Sequence, residues 1–421
     1  MEISEIIALS VFIAVYAAII SEKIHRTVAA MFGASIVLLL GIVPWEKVSH
    51  YLDLNTILLL AGMMVVVNVS RESGLFEYIA IKTAKLSKGD PMKVLLFFSI
   101  VTALVSAFLD NVTTVLLLTP MLLYITRQMK VNPVPYLLAE IFASNIGGTA
   151  TLIGDPPNIM IGSAAKLSFN EFIKNMTPIA FVDLILMIGL VYVLYRKQLK
   201  KARETVSLAI MNLREEDAIR DKKLFRRSII VISLVMLSFF LHDTLGVEPA
   251  VIALAGASLL LLWSGYSPEK ALEKVEWATL FFFGGLFIIV GSLEETGFIA
   301  QVGEWIVRQI HNETEAILLI SWLSALLSAV IDNIPFTATM IPLIKSMGST
   351  LNTYPLWWAL SLGACLGGNG TAIGASANIV VLGIAYREGI RITFKDFLKV
   401  GFIVMMLTVG VGSLILILRY G

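Results

Sequence analysis

Ten stretches of this chain are predominantly apolar on the scale of a bilayer crossing: 5–20, 27–43, 55–70, 134–166 and 177–195, then 228–242, 249–264, 277–293, 355–386 and 400–418. Inside hydrocarbon the backbone finds no water to bond, so each stretch must satisfy its own N–H and C=O groups as a helix. The composition agrees, with 57% of the 421 residues hydrophobic and 15% charged, and a mean hydropathy of +0.85. We read an all-α polytopic membrane protein with lipid as its main partner. A net charge of +1 provides no basic face for nucleic acid. Cys365 stands alone, which excludes an internal disulfide and a multi-thiolate metal site. His25, His50, His242 and His311 lack metal-ligand spacing. The opening segment MEISEIIALSVFIAVYAAII is acidic where a signal peptide is basic, so it reads as a retained first helix.

The sequence repeats itself. SAFLDNVTTVLLLTP (106–120) aligns with SAVIDNIPFTATMIP (328–342), pairing Ser106 with Ser328, Asp110 with Asp332, Asn111 with Asn333 and Pro120 with Pro342. GGTATLIGDPPNI (147–159) aligns with GGNGTAIGASANI (367–379), and RESG (71–74) with EETG (294–297), whose glycines read as helix ends. Three blocks in one order mean two homologous halves, 1–195 and 228–421, joined by a linker over 196–227. That linker carries eleven Lys/Arg and five Asp/Glu, too polar for the bilayer.

Basic residues set the orientation. With the linker cytoplasmic, 26 Lys/Arg fall inside and six outside, namely Lys47, Lys166, Lys174, Arg308, Lys345 and Arg419. Five crossings per half make the second half inverted relative to the first. The remaining stretches, 94–126 and 315–344, are long enough to enter the membrane and return, each with an Asp-Asn pair near its tip. A carboxylate at that depth costs from about 3 to more than 10 kcal/mol, so it needs a partner, a proton or an ion. The runs NIGGTATLIGDPPN and LGGNGTAIGASAN cannot stay helical, because glycine is weak and proline forbidden in a helix interior. Unwound backbone at membrane depth lines polar cavities, and interrupted helices in matching places of two halves point to a transport site.

These motifs resemble the ion transporter superfamily, and most closely its branch of arsenite permeases, sodium/proton antiporters and P protein-like permeases. The resemblance spans nearly the whole chain. It implies two inverted repeats, each of five crossings with one broken helix and one re-entrant hairpin, in a homodimer whose transport domains move like an elevator. Carried over by position, it implies ion sites at Ser106, Asp110 and Asn111 with Gly147, Gly148 and Thr149, and at Ser328, Asp332 and Asn333 with Gly367, Gly368 and Asn369. It further implies sodium or protons as coupling ions, with Na+ at Asp110, Asn111, Asp332 and Asn333 and no cofactor. Thr151, Asp155, Asn158, Thr371 and Asn378 complete the expected substrate cavity. The carboxylate-transporting relatives carry Ser-Asn-Thr at the hairpin tip. Here Asp110 and Asp332 replace its first Ser, and Val112 and Ile334 its Thr, which favours cation or proton handling over a large anion.

Individual residues keep duller alternatives. Asn111 and Asn333 could tie the hairpin helices together. Asp155 before Pro156 and Pro157 reads more readily as a helix N-cap than as a substrate ligand. Thr149, Thr151 and Thr371 line a cavity or bond back to their own helix. Asp183 is a buried hydrogen bond, a subunit contact or a proton step, and Glu140 relays a proton or simply faces water. The aspartates sit in copies of one hairpin, unlike the YD and GxGD motifs of intramembrane aspartyl proteases. No GxxxxGK[ST] occurs, so this chain consumes no ATP itself, although a soluble ATPase subunit, not indicated by any motif, is compatible with an arsenite exporter. The expected function is ion-coupled secondary transport of a small inorganic ion or oxyacid. Sodium/proton-linked exchange or arsenite-type efflux leads, with a small-anion transporter or channel as the alternative. The compact chain without a targeting segment fits a prokaryotic plasma membrane.

Overall fold

The computed structural model describes residues 2–21, 23–203 and 213–421, and every regular element among them is helical. The first half runs α1 (Ile3–Ser21), α2 (Arg26–Leu39), α3 (Val48–Tyr51), α4 (Leu54–Glu72), α5 (Leu75–Leu86), α6 (Pro91–Ser106), α7 (Asn111–Gln128), α8 (Val134–Thr149), α9 (Pro156–Ala165), α10 (Phe169–Asn175) and α11 (Thr177–Arg203). The second runs α12 (Lys222–Leu245), α13 (Pro249–Ser264), α14 (Pro268–Glu273), α15 (Trp277–Glu295), α16 (Phe298–Gln309), α17 (Glu313–Ser328), α18 (Asn333–Met347), α19 (Tyr354–Gly367), α20 (Ser376–Arg387) and α21 (Phe394–Tyr420). Six described helices are long and apolar enough to cross a membrane: α1, α4, α11, α12, α15 and α21. They form three pairs at matching places in the two halves, and the protein is a polytopic membrane protein.

Local chemistry places the ends. Gly74 and Gly297, at φ +85° and +79°, turn the chain between α4 and α5 and between α15 and α16, where a left-handed residue is needed. Asp90 caps α6 ahead of Pro91, and Asn312 caps α17 at the same place in the other hairpin. Ser168 and Thr393 each close a reciprocal capping box with an acidic residue three positions on, before α10 and α21. The expected hairpins are α6–α7 and α17–α18, and the expected broken helices are α8–α9 and α19–α20. Of the linker, Glu215–Ala218 docks on α5, where the Lys85 ammonium, 2.5 Å away, holds the Glu215 carboxyl below its usual range. Residues 204–212 of the linker lie outside the described residues.

Packing divides the helices into two groups, each drawn from both halves. In one, α2 packs on α15 and α13 on α4, with α1 and α12 alongside. In the other, each hairpin packs on its own broken helix, α6 on α8 and α17 on α19. The second segment of each broken helix crosses to the opposite hairpin, α9 to α18 and α20 to α7. This exchange fixes the site, because it brings both helix breaks and both hairpin tips to one place.

Candidate functional site

Gly147 and Gly367 let the hairpins approach the broken helices. A Cβ on Gly147 would lie 2.2 Å from the Ala103 carbonyl oxygen, and one on Gly367 2.5 Å from that of Ala325, so only glycine fits. Gly148 and Gly368 lie against the returning backbone of residues 154–155 and 374–375. The Ser106 hydroxyl donates to the Ser144 carbonyl at 2.8 Å and Ser328 to that of Ala364 at 2.6 Å, which ties each tip to its own broken helix. Thr151 and Thr371 donate to the carbonyls of Ala107 and Ala329. Thr149 bonds back to the Asn145 carbonyl at 2.8 Å.

Between these supports lies a buried centre made mostly of side-chain amides. Asn145 joins three of them: its Oδ1 accepts from Asn111 at 3.3 Å, and its Nδ2 donates to Asn369 at 2.9 Å and to Asn378 at 3.1 Å. Asn378 Nδ2 holds the carbonyls of Gly368 and Thr371, and Asn158 Nδ2 those of Gly148, Thr149 and Thr151. Each Asn thus pins the unwound segment of its own half. Asn158 Oδ1 accepts from Ser361 at 2.6 Å and from the Cys365 thiol at 3.5 Å. Asn333 reaches across the halves and donates to both oxygens of Asp155 at 3.3 Å. The Asn369 Nδ2 is buried and unpartnered, a donor aimed into the centre.

The expected ion sites are only partly assembled in this way. Asn111 and Asn333 join the centre, but Asp110 accepts from the backbone N–H of Thr113 at 2.9 Å and caps α7. Asp332 caps α18 through Ile334 and pairs with Arg26 at 3.0 Å, and Ser376 donates to the same carboxylate at 2.8 Å while receiving Arg26 at 2.9 Å. The charge facing Asp332 here is therefore a guanidinium, held over the Phe282 ring, and not a free cation site. Sequence reasoning missed Arg26 and Asn145. Arg26 stands at the polar start of an apolar block, and Asn145 is the first residue of the first glycine-rich run.

Two single residues differ from expectation, and a third, Asp183, loses the hydrogen-bond reading among its three. Asp155 occupies the N-cap position of α9, but its side chain makes no capping bond and turns to Asn333. Pro156 and Pro157 carry no N–H, and the Asn158 N–H is taken by the Asp155 carbonyl at 2.9 Å, so nothing is left to cap. Glu140 does not face water. It is 1% exposed and accepts from Thr119 at 3.1 Å. Asp183 is fully buried in α11 with neither oxygen bonded.

Two clefts lie at repeat-matched places in the two halves. One, of about 370 Å³, is lined by Tyr51, Asp53, Gly291, Glu294, Ala338 and Pro342 among others. The other, of about 40 Å³, is lined by Asn68, Arg71, Leu116, Lys274 and Glu276, the counterparts of Gly291, Glu294, Ala338, Tyr51 and Asp53. The small one is narrowed where Asn68 donates to the Lys274 carbonyl at 2.9 Å. Gly291 has no side chain with which to do the same.

Over residues 16–363 the chain matches the family model described as Citrate transporter. It is 43% identical over 424 residues to a 46 kDa membrane protein of Mycobacterium leprae, across 99% of both chains. It is 41% identical to an uncharacterized transporter of Mycobacterium tuberculosis, across 99% of this chain and 98% of that one. The human P protein is 33% identical across 98% of this chain and 60% of its own length. In fold the chain resembles the Alcanivorax borkumensis YdaH transporter, with a TM-score of 0.59 over 88% of this chain and 86% of that one at 14% identity. With its paired hairpins and broken helices, the chain is a membrane transporter and belongs to the citrate transporter family, within the ion transporter superfamily.

Proposed function

We propose that this protein is an ion-coupled secondary transporter in which two inverted halves give alternating access to the amide centre between the hairpin tips. The observation that carries the reading is the inequality of the two repeat-matched clefts, about 370 and 40 Å³. Repeat-matched clefts of unequal size are what a carrier caught with its two halves in different arrangements would show, and a symmetric pore would not. The hairpins and broken helices form the moving group, and α1, α2, α4, α12, α13 and α15 the scaffold of a homodimer. Carbonyls at the C-terminal ends of α8 and α19 and in the breaks after them, held in place by Asn158 and Asn378, offer oxygen ligands to a coupling Na+ at the tips with Asn111 and Asn333. The substrate is a small inorganic ion or oxyacid, exchanged against sodium or protons.

A second reading, a small carboxylate or oxyanion as cargo, is favoured by the Arg26–Ser376 pair. With Asp332 neutralised by Arg26 and Asp110 spent on a helix end, the two acids repel an anion less than their sequence implies. The test is purified protein in liposomes with an internal pH dye, pulsed with sodium, lithium, arsenite, chloride or citrate, with and without a proton gradient. Sodium-driven proton movement that Asn111→Ala and Asn333→Ala each reduce at least tenfold supports cation coupling at the tips. A citrate or arsenite response that survives both substitutions but is lost in Arg26→Gln supports the anion reading. Silence of the dye to every pulse overturns both.

A further inference from the structure

The buried Glu140 is not used by the tip-centred site. It lies on α8 one turn from Ser144 and one turn from Tyr136, so the three side chains share one face of the helix at i, i+4 spacing. Tyr136, Glu140 and Ser144 are all at most 2% exposed. The face is polar at each step. Ser144 donates to the Asn111 carbonyl at 3.2 Å and lies 3.3 Å from the Ser106 hydroxyl, at the first hairpin tip. Thr119 of α7 donates to Glu140 Oε2, while Oε1 is buried with no partner, as is the Tyr136 hydroxyl. Asp90, half-buried, caps the start of α6.

An ionised carboxylate with an unpaired oxygen is expensive in such surroundings and calls for a partner, which a bound proton supplies. Helices α6, α7, α11, α19, α20 and α21 pack on α8. Among the described residues, the buried titratable side chains on these helices are Asp183 of α11 and Cys365 of α19, and neither acts on Glu140. Among the described residues Thr119 is its one polar partner, and no basic residue pairs with it. Its repeat counterpart is Leu360, so the feature belongs to one half and has no part in the duplicated tip architecture.

We propose that Glu140 is a proton-binding site within the moving group, on the polar face of α8 that carries Tyr136 on one side and Ser144, bonded to the first hairpin tip, on the other. The cargo of this site is the proton itself: one binds at Oε1 from water on one side of the membrane and leaves to water on the other when the group moves. This rests on the ion-coupled reading above and deepens it by naming a coupling site distinct from the tips.

The test is infrared difference spectroscopy on the whole protein in liposomes, titrated with acid and base, which needs no substrate. The expected result is a carboxylic-acid C=O band in the wild type that is absent in Glu140→Gln and displaced in Thr119→Val, which removes the donor and keeps the acid. In the dye assay Glu140→Gln then lowers proton movement at least tenfold, and Glu140→Asp moves its pH profile. Identical band sets in wild type and Glu140→Gln overturn the site. So does unchanged proton movement in Glu140→Gln. A dye silent to every pulse in the wild type, with the Glu140 band present, rejects the transport reading instead.

Discussion

Arg26 and Asp332 meet across 306 positions of sequence, at the start of α2 and the tip of the second hairpin. A hydrogen bond to a charged group contributes about 1.5–3 kcal/mol, and an acid left without its partner loses that much. Arg26→Gln should therefore lower the stability of the detergent-purified protein by that order, and adding Asp332→Asn should restore most of it. A thermal double-mutant cycle measures this, and additive losses would deny the pairing. The tip residues Asn111 and Asn333 were legible in the sequence because duplication marked them. Arg26 and Asn145 were not, because their counterparts are Pro249 and Cys365, so comparing the halves passes over them. Asp155 misled because the spacing of a cap was present while the two prolines after it had removed the donors a cap needs.

At the scale of the elements, the broken helices were readable from glycine and proline alone, since no other composition unwinds a helix so plainly at membrane depth. Their fit to the hairpins was not readable, because it depends on where backbones approach. Gly147→Ala and Gly367→Ala each force a methyl into a carbonyl at 2.2 and 2.5 Å. Overpacking of this kind costs about 1–3 kcal/mol. Both variants should unfold at lower temperature in detergent. Gly383→Ala, where nothing lies within 4 Å, should change little. Equal behaviour of all three would show that the hairpin and broken helix do not pack as described. The exchange of α9 and α20 between halves likewise left no local trace, since a helix sequence does not say which hairpin it will cross to.

For the whole molecule, hydropathy marked ten crossing stretches where six described helices are long and apolar enough to cross a membrane, and internal similarity marked the two-fold repetition of elements, whereas the state of the clefts follows only from packing. Asn68 and its counterpart Gly291 show how one substitution between halves permits one cleft to close while the other stays open. The measurement that tests alternating access most directly is labelling of Ser163→Cys, in the open cleft, and Leu116→Cys, in the closed one, by a membrane-impermeant maleimide added to either side of proteoliposomes. Cys365 is fully buried and serves as the internal blank. The account predicts fast labelling of Ser163→Cys from one side and slow labelling of Leu116→Cys, with the two rates moving in opposite directions when a transported ion is supplied. Simultaneous fast labelling of both from opposite sides, unchanged by every ion tested, would describe a pore and contradict it.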